Sequence, residues 1–250
     1  MRSMIIHLLF IIFPAVLIAQ IQQGKITYSV SVDFNLPEDV DPSVRAMLEN
    51  MPRQLGSQAQ LIFNQEASRY ETVPAEEKRM ESSDGANQVS VRVMGQGSSE
   101  IYYTQLVENQ IVYQQNIFDR SFLIEDELQA LDWQLEEVNG TDKATALPTK
   151  QAIAITASGD TVVAQYTPAI PIGIGPTEFG GLPGAIIQLK VGNRTYQATA
   201  LEVLSEKPTI LPPTEGKKMT KAKFEALREK KMNEFSGGQG ARVIRIGGKR

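Results

Sequence analysis

Strict two-residue alternation of apolar and polar side chains constrains this chain more than any other feature. Over residues 24–34, Ile26, Tyr28, Val30, Val32 and Phe34 fall on one face, and Thr27, Ser29, Ser31 and Asp33 fall on the other. Successive side chains of an extended chain point to opposite sides, so the pattern predicts a half-buried strand of the antiparallel kind. The rhythm returns at 59–63 and 69–73, which read as a hairpin around the NQEAS run, and at 89–93. It continues at 100–106, 110–118, 120–124, 132–138, 151–156 and 161–167, with turn residues at Glu108-Asn109, Asn139-Gly140 and Gly159-Asp160 between several of these. Residues 74–88 are polar and charged and read as a long surface loop, and 95–99 (GQGSS) as a turn.

The most specific local prediction is a hairpin about Gly192-Asn193, a pair suited to a two-residue turn. Pairing outward sets Val191, Leu189, Ile187 and Ala185 beside Arg194, Tyr196, Ala198 and Ala200. Lys190 and Gln188 then share the other face with Thr195, Gln197 and Thr199, Ile186 being the apolar exception there. Slipping the register by one residue would bury the polar set.

Helical signals are few. Asp41-Pro42 suits an N-cap and first helical residue, and Val44, Met47, Leu48 and Met51 follow at helical spacing up to Pro52. A second helix is predicted at about 220–235, with Phe224, Leu227 and Met232 as a thin apolar stripe and Ser236-Gly237-Gly238 as its stop. Many short strands and few helices give a mainly β class. The expected architecture is a large curved antiparallel sheet or open barrel, with one short helix packed on it and a C-terminal helix beyond.

Three segments follow. Residues 1–19 read as a secretory signal peptide: Arg2 precedes an apolar run from Met4 to Ile18, broken by His7, and small Ala19 stands before Gln20. That run is too short for a membrane span, and no other apolar run follows it, so no transmembrane span is expected in the mature chain. Residues 20–206 form the β domain, with 12 basic and 25 acidic residues. Residues 207–250 form a basic extension with 12 basic and 4 acidic residues. The extension opens with Pro208, Pro212 and Pro213, and its helix either docks on the acidic domain, lies on an anionic membrane or acidic partner, or stays solvated.

Composition removes whole chemistries. The chain has no cysteine, and its one histidine is His7. A mature chain therefore has no disulfide, no thiolate or imidazole metal site, and neither a Ser-His-Asp nor a Cys-His arrangement. Carboxylate chemistry, Ser-Lys chemistry and oxygen-ligand metals remain open. No cofactor and no metal site is read. Glu38, Asp39 and Asp41 lack a calcium-loop pattern, and Glu136-Glu137 would point to opposite faces of a strand. Nucleic acid is not an expected partner of an exported chain.

Residues 170–187 (IPIGIGPTEFGGLPGAII) concentrate five glycines and three prolines in 18 residues. Glycine permits close backbone approach and proline fixes φ, so this loop has a specified shape. A phosphate cradle is disfavoured, because the third glycine is misplaced, no Lys-Ser/Thr follows and the next element is a strand. The leading reading is a packed corner that aims the 192–193 hairpin. The next is a loop contacting a ligand or partner through Pro171, Pro176, Phe179, Gly181, Leu182, Pro183 and Gly184. Glu178, its one charge, is either a solvated turn glutamate or, if buried, a candidate catalytic acid or base.

The FGGLPGAII run with its preceding IPIGIGPTEF closely resembles the hallmark of the GLPGLI family, secreted proteins of Gram-negative envelopes. Gly181, Leu182, Pro183, Gly184 and Ile186 match the family hexapeptide, and Ala185 stands where members usually have Leu. GKITY near residue 24, the Leu61-Ile62-Phe63, Ser68, Tyr70 segment, Trp133, Lys143-Ala144-Thr145 and Tyr166-Thr167 follow in similar order, so the likeness spans about residues 24–204. The chain departs from the pattern where members often carry Cys before the KAT run and Trp before the YT pair; here Thr141-Asp142 and Gln165 occupy those places. The resemblance implies an envelope protein of the periplasm or cell envelope and brings no catalytic residues. The expectation is a non-enzymatic module binding a peptide, a lipid or another envelope protein, with no oligomeric state implied. The alternative is a carboxylate-dependent hydrolase using Glu178.

Overall fold

The computed structural model describes residues 20–33, 54–73, 80–84, 87–91, 100–128 and 131–237. The expected signal peptide (1–19), the expected 41–51 helix, the expected 95–99 turn and the tail beyond 237 lie outside the described residues. Fourteen strands and one helix are described. β1 (Gly24–Asp33), β2 (Gln54–Phe63), β3 (Ala67–Val73), β6 (Ile101–Gln105), β7 (Gln110–Ile117) and β8 (Arg120–Glu127) make one half of a large sheet. β9 (Gln134–Thr141), β10 (Pro148–Ile155), β11 (Thr161–Thr167), β12 (Ala185–Val191) and β13 (Arg194–Val203) make the other half, and β14 (Lys217–Met219) adds a twelfth strand. The order is β14-β8-β7-β6-β3-β2-β1-β13-β12-β11-β10-β9, an open sheet that does not close. Every pair is antiparallel except β14 against β8. β4 (Met80–Asp84) and β5 (Asn87–Val91) pair separately, so the segment 74–88, expected to be loop, contains half of a hairpin. Its polar residues hid the strand because neither face carries an apolar row.

The sheet must curl strongly. β8 and β9 lie ten strand steps apart, about 48 Å in a flat sheet. Only six residues join them, which reach about 24 Å fully extended. The apolar face lines the concave side. Row by row it holds Ile124, Tyr113, Tyr102, Tyr70, Leu61 and Ile26 directly opposite one another across β8, β7, β6, β3, β2 and β1. All six are buried. Tyr196 on β13 joins the row from three strand steps away, its ring 6.3 Å from that of Tyr70. Tyr28 lies 6.4 Å from Tyr70, and Tyr102 stacks on Tyr113 at 5.4 Å.

The 192–193 hairpin has the expected register: Val191 pairs with Arg194, Lys190 with Thr195, Leu189 with Tyr196 and Gln188 with Gln197. Beyond Gln188 the expected pairing of Ile187 with Ala198 and Ala185 with Ala200 fails. A bulge shifts β12 against β11, so that Gln188 faces Gln165 but Ile186 faces Tyr166. The extra residue, Ile187, reverses the alternation and turns Ile186 inward beside Tyr166. Ile186 and Ile187 are both fully buried.

The C-terminal segment binds the sheet on both faces. Asn64 donates to the Pro208 carbonyl at 3.1 Å, and Arg69, which alternates with the inward Tyr70, donates to the Leu211 carbonyl at 2.9 Å on the outer face. Beyond β14, helix α1 (Lys221–Gly237) inserts Phe224 against the inward ring of Phe122 at 5.7 Å. Lys218–Glu125 and Lys221–Asp126 ion pairs flank this contact. Of the three readings for this helix, the structure has the docked one.

Candidate functional site

The Gly/Pro loop between β11 and β12 folds back into the concave core. Ile170, Ile174 and Leu182 are buried there. Gly181 N–H donates to the Gly173 carbonyl at 3.0 Å, Ala185 N–H to Ile170 at 3.0 Å and Ile186 N–H to Ile174 at 2.8 Å. The Tyr28 hydroxyl donates to the Ile186 carbonyl at 2.5 Å, and the Trp133 indole to the Gly180 carbonyl at 2.9 Å. At Gly184 a Cβ would lie 2.2 Å from the Thr167 carbonyl oxygen, so only glycine lets the two backbones pass. Gly181 holds φ at +82°, the left-handed region.

Of the expected contact residues, Pro176, Leu182 and Gly184 are buried in the loop's own packing, and Phe179 is half-buried. Pro171, Gly181 and Pro183 are exposed. Pro171 and Gly181 line a cleft of about 430 Å³ with Gln20, Gln22, Gln65, Asn109, Leu106, Leu128 and Ile172. Four carboxamides face it, with no acidic or basic side chain among its lining residues. A carboxamide both donates and accepts, as a peptide group does. The cleft can recognise neutral polar groups and offers no proton-transfer group.

A second constellation surrounds the tyrosine row. Glu100 stands just before β6, anchored by its N–H to Thr72 Oγ1 at 2.8 Å. Burial raises its carboxyl above the usual carboxylate range, and Arg194 opposes that shift. Arg194 bonds the Tyr196 hydroxyl, and Gln115 donates to the Tyr102 hydroxyl at 2.6 Å. Glu178 is solvent-exposed, yet its charge helps push up Glu100, Tyr102, Tyr113 and Tyr196. Burial dominates the upward shift of each of these tyrosines and of Tyr70. The Tyr70 hydroxyl and Thr177 Oγ1 are buried without a hydrogen-bond partner, and Thr177 holds φ at 54° beside Glu178. Sequence reasoning found Glu178 but missed Glu100 and Arg194. The available signal was Arg194 breaking an otherwise apolar strand face.

Among the described residues no three acidic or histidine side chains gather to hold a metal. Glu136 and Glu137 lie on the edge strand β9, with Glu136 accepting from Gln151 at 2.7 Å. No described helix is long and apolar enough to cross a membrane.

A family model described as "Protein of unknown function (Porph_ging)" matches residues 123–188, from β8 through the Gly/Pro loop into β12. No curated protein matches the chain. Among solved structures, PNGF-II in space group C2 is similar with a TM-score of 0.52 and 13% identity, covering 84% of this chain and 33% of PNGF-II. Its P21 form gives 0.51 and 15%, covering 84% and 34%. The chain thus spans about a third of PNGF-II. At this identity the likeness is one of fold: a β-rich architecture.

Proposed function

We propose that this chain is an exported, non-enzymatic binding module of the GLPGLI type, acting in the periplasm or cell envelope. Its ligand is an extended peptide segment of an envelope partner. The carrying observation is the cleft beside the Gly/Pro loop, with four carboxamides among its lining residues and no titratable side chain. Such a lining suits peptide groups better than a lipid chain, which needs an apolar tunnel. The loop that forms its wall is held by three backbone hydrogen bonds and a buried leucine, so the site is pre-organised. The test is site-specific photo-crosslinking from Gln65 in cells, followed by binding measurements on the peptide recovered. Pro171→Asp places a charge in the cleft and is expected to weaken binding at least tenfold with the fold retained. Equal crosslinking from Gln65 and from the distant exposed Ile155 would remove the reading.

A second reading, a carboxylate-dependent hydrolase, is favoured by one observation: the fields of Glu178 and Glu100 overlap above the tyrosine row. Two carboxyls in unlike environments, one buried and raised, the other exposed, are the kind of pair that acid–base catalysis uses. Glu178→Gln and Glu100→Gln variants that match the parent in every phenotype would exclude it.

A further inference from the structure

The cleft wall includes Gln20, and the position of that residue in the chain has a chemical consequence. Ile21 N–H donates to the Ala169 carbonyl at 3.0 Å, and its side chain packs against the core. Gln23 donates to the Leu204 carbonyl at 3.1 Å. A leader cut beyond Ile21 would remove part of the fold, whereas a cut after the small residue Ala19 leaves it whole and makes Gln20 the first residue. Gln20 is exposed and, among the described residues, precedes the first backbone hydrogen bond, that of Ile21.

We propose that Gln20 is a modification site, and that the mature chain begins with a pyroglutamyl residue. This rests on the export reading above. The free α-amine attacks the side-chain Cδ, a new N–Cδ bond closes a five-membered lactam, and the Cδ–Nε2 bond breaks. The amine proton leaves with Nε2 as ammonia. Nothing is oxidised or reduced, and no co-reactant is consumed. An uncyclised Gln20 would carry an α-ammonium at neutral pH, its ordinary pKa being about 7.7–8.0. That charge would be the one formal charge in a cleft whose other lining residues are carboxamides, aliphatics and backbone. Cyclisation replaces it with a neutral lactam N–H and C=O, in keeping with the other polar groups of the wall. The site therefore recognises its ligand without an ionic anchor.

The test expresses residues 1–250 in a Gram-negative host and recovers the chain from the envelope fraction. Intact mass and fragmentation of the N-terminal peptide are then read at once, before the sample ages. The expected species runs from residue 20 to residue 250, is lighter by one ammonia, and resists stepwise N-terminal degradation until a pyroglutamyl aminopeptidase is added. A Gln20→Ala precursor should be cut at the same bond, keep its full mass and degrade stepwise without the enzyme. A chain that begins at Gln20 with a free amine overturns the modification and leaves export standing. A chain cut at another bond overturns the modification and leaves export standing, and one that keeps its leader overturns both.

Discussion

Two tyrosines of the same buried sheet face should respond with opposite signs to the loss of a hydroxyl. The Tyr28 hydroxyl is buried and donates to the Ile186 carbonyl at 2.5 Å. The Tyr70 ring is 6.4 Å away, equally buried, and its hydroxyl has no partner. Tyr28→Phe deletes the donor and strands a buried carbonyl at the β12 bulge, a loss of about 1–3 kcal/mol. Tyr70→Phe removes a polar atom whose uncompensated burial costs about 1–3 kcal/mol by mutational measures, and leaves the ring contacts in place. The expected result is therefore a gain of up to that amount. For a domain of this size about 1 kcal/mol shifts the melting temperature by ~2–4 °C, so the two variants should melt on either side of the parent. The assay is urea unfolding followed by tyrosine and tryptophan fluorescence, with midpoints compared at unchanged slope. A Tyr70→Phe variant less stable than the parent by more than about 1 kcal/mol would refute the reasoning, because it would mean that the hydroxyl makes a favourable bond worth that much.

Other outcomes follow from the same structure. Gly184→Ala places a methyl 2.2 Å from the Thr167 carbonyl and should destabilise by about 1–3 kcal/mol, read by the same unfolding curve. Helix α1 should stay docked in high salt, since its flanking ion pairs are exposed and worth about 0–1 kcal/mol each. Phe224→Ala, which removes a side chain only 2% exposed, should release it, seen as rapid hydrogen exchange confined to residues 221–237. Burial, partly opposed by Arg194, raises the folded pKa of Glu100 above its unfolded one. Its contribution to stability is present below the unfolded pKa of about 4.5 and fades as pH rises through the folded value. Glu100→Gln should accordingly stabilise at pH 7 and make little difference at pH 4 in a melting series.

The sequence displayed the strands whose pairing depends on local pattern. Gly192-Asn193 dictates the first four pairs of its hairpin, and the alternation in 24–34 marks β1 without ambiguity. What it hid was settled by distant packing. Ile186 faces inward because the loop and Tyr28 seize its backbone, and the resulting bulge undoes the simple extension of the hairpin. The electrostatic coupling of Glu100, just before β6, to Arg194 on β13 spans four strand steps of the sheet and arises from its curl. β4 lacks an apolar face in its sequence, so periodicity announced only its partner β5, through Val89 and Val91. Within the Gly/Pro segment, a dense run of glycine and proline announced a shaped loop, but which of its residues face solvent depended on the core it enters.

The place of β1 has a consequence for how the chain reaches this state. Gly24 pairs with Phe63 on one side and with Val203 on the other. The first strand made is thus the keystone between the two halves of the sheet, and its second neighbour is the thirteenth strand in order. Loop closure over such a separation is slow, and each half carries an open edge until it occurs. The two halves of the sheet cannot be joined through β1 until residue 203 has been made. Union of the halves is thus deferred by topology alone, whatever the stability of each half.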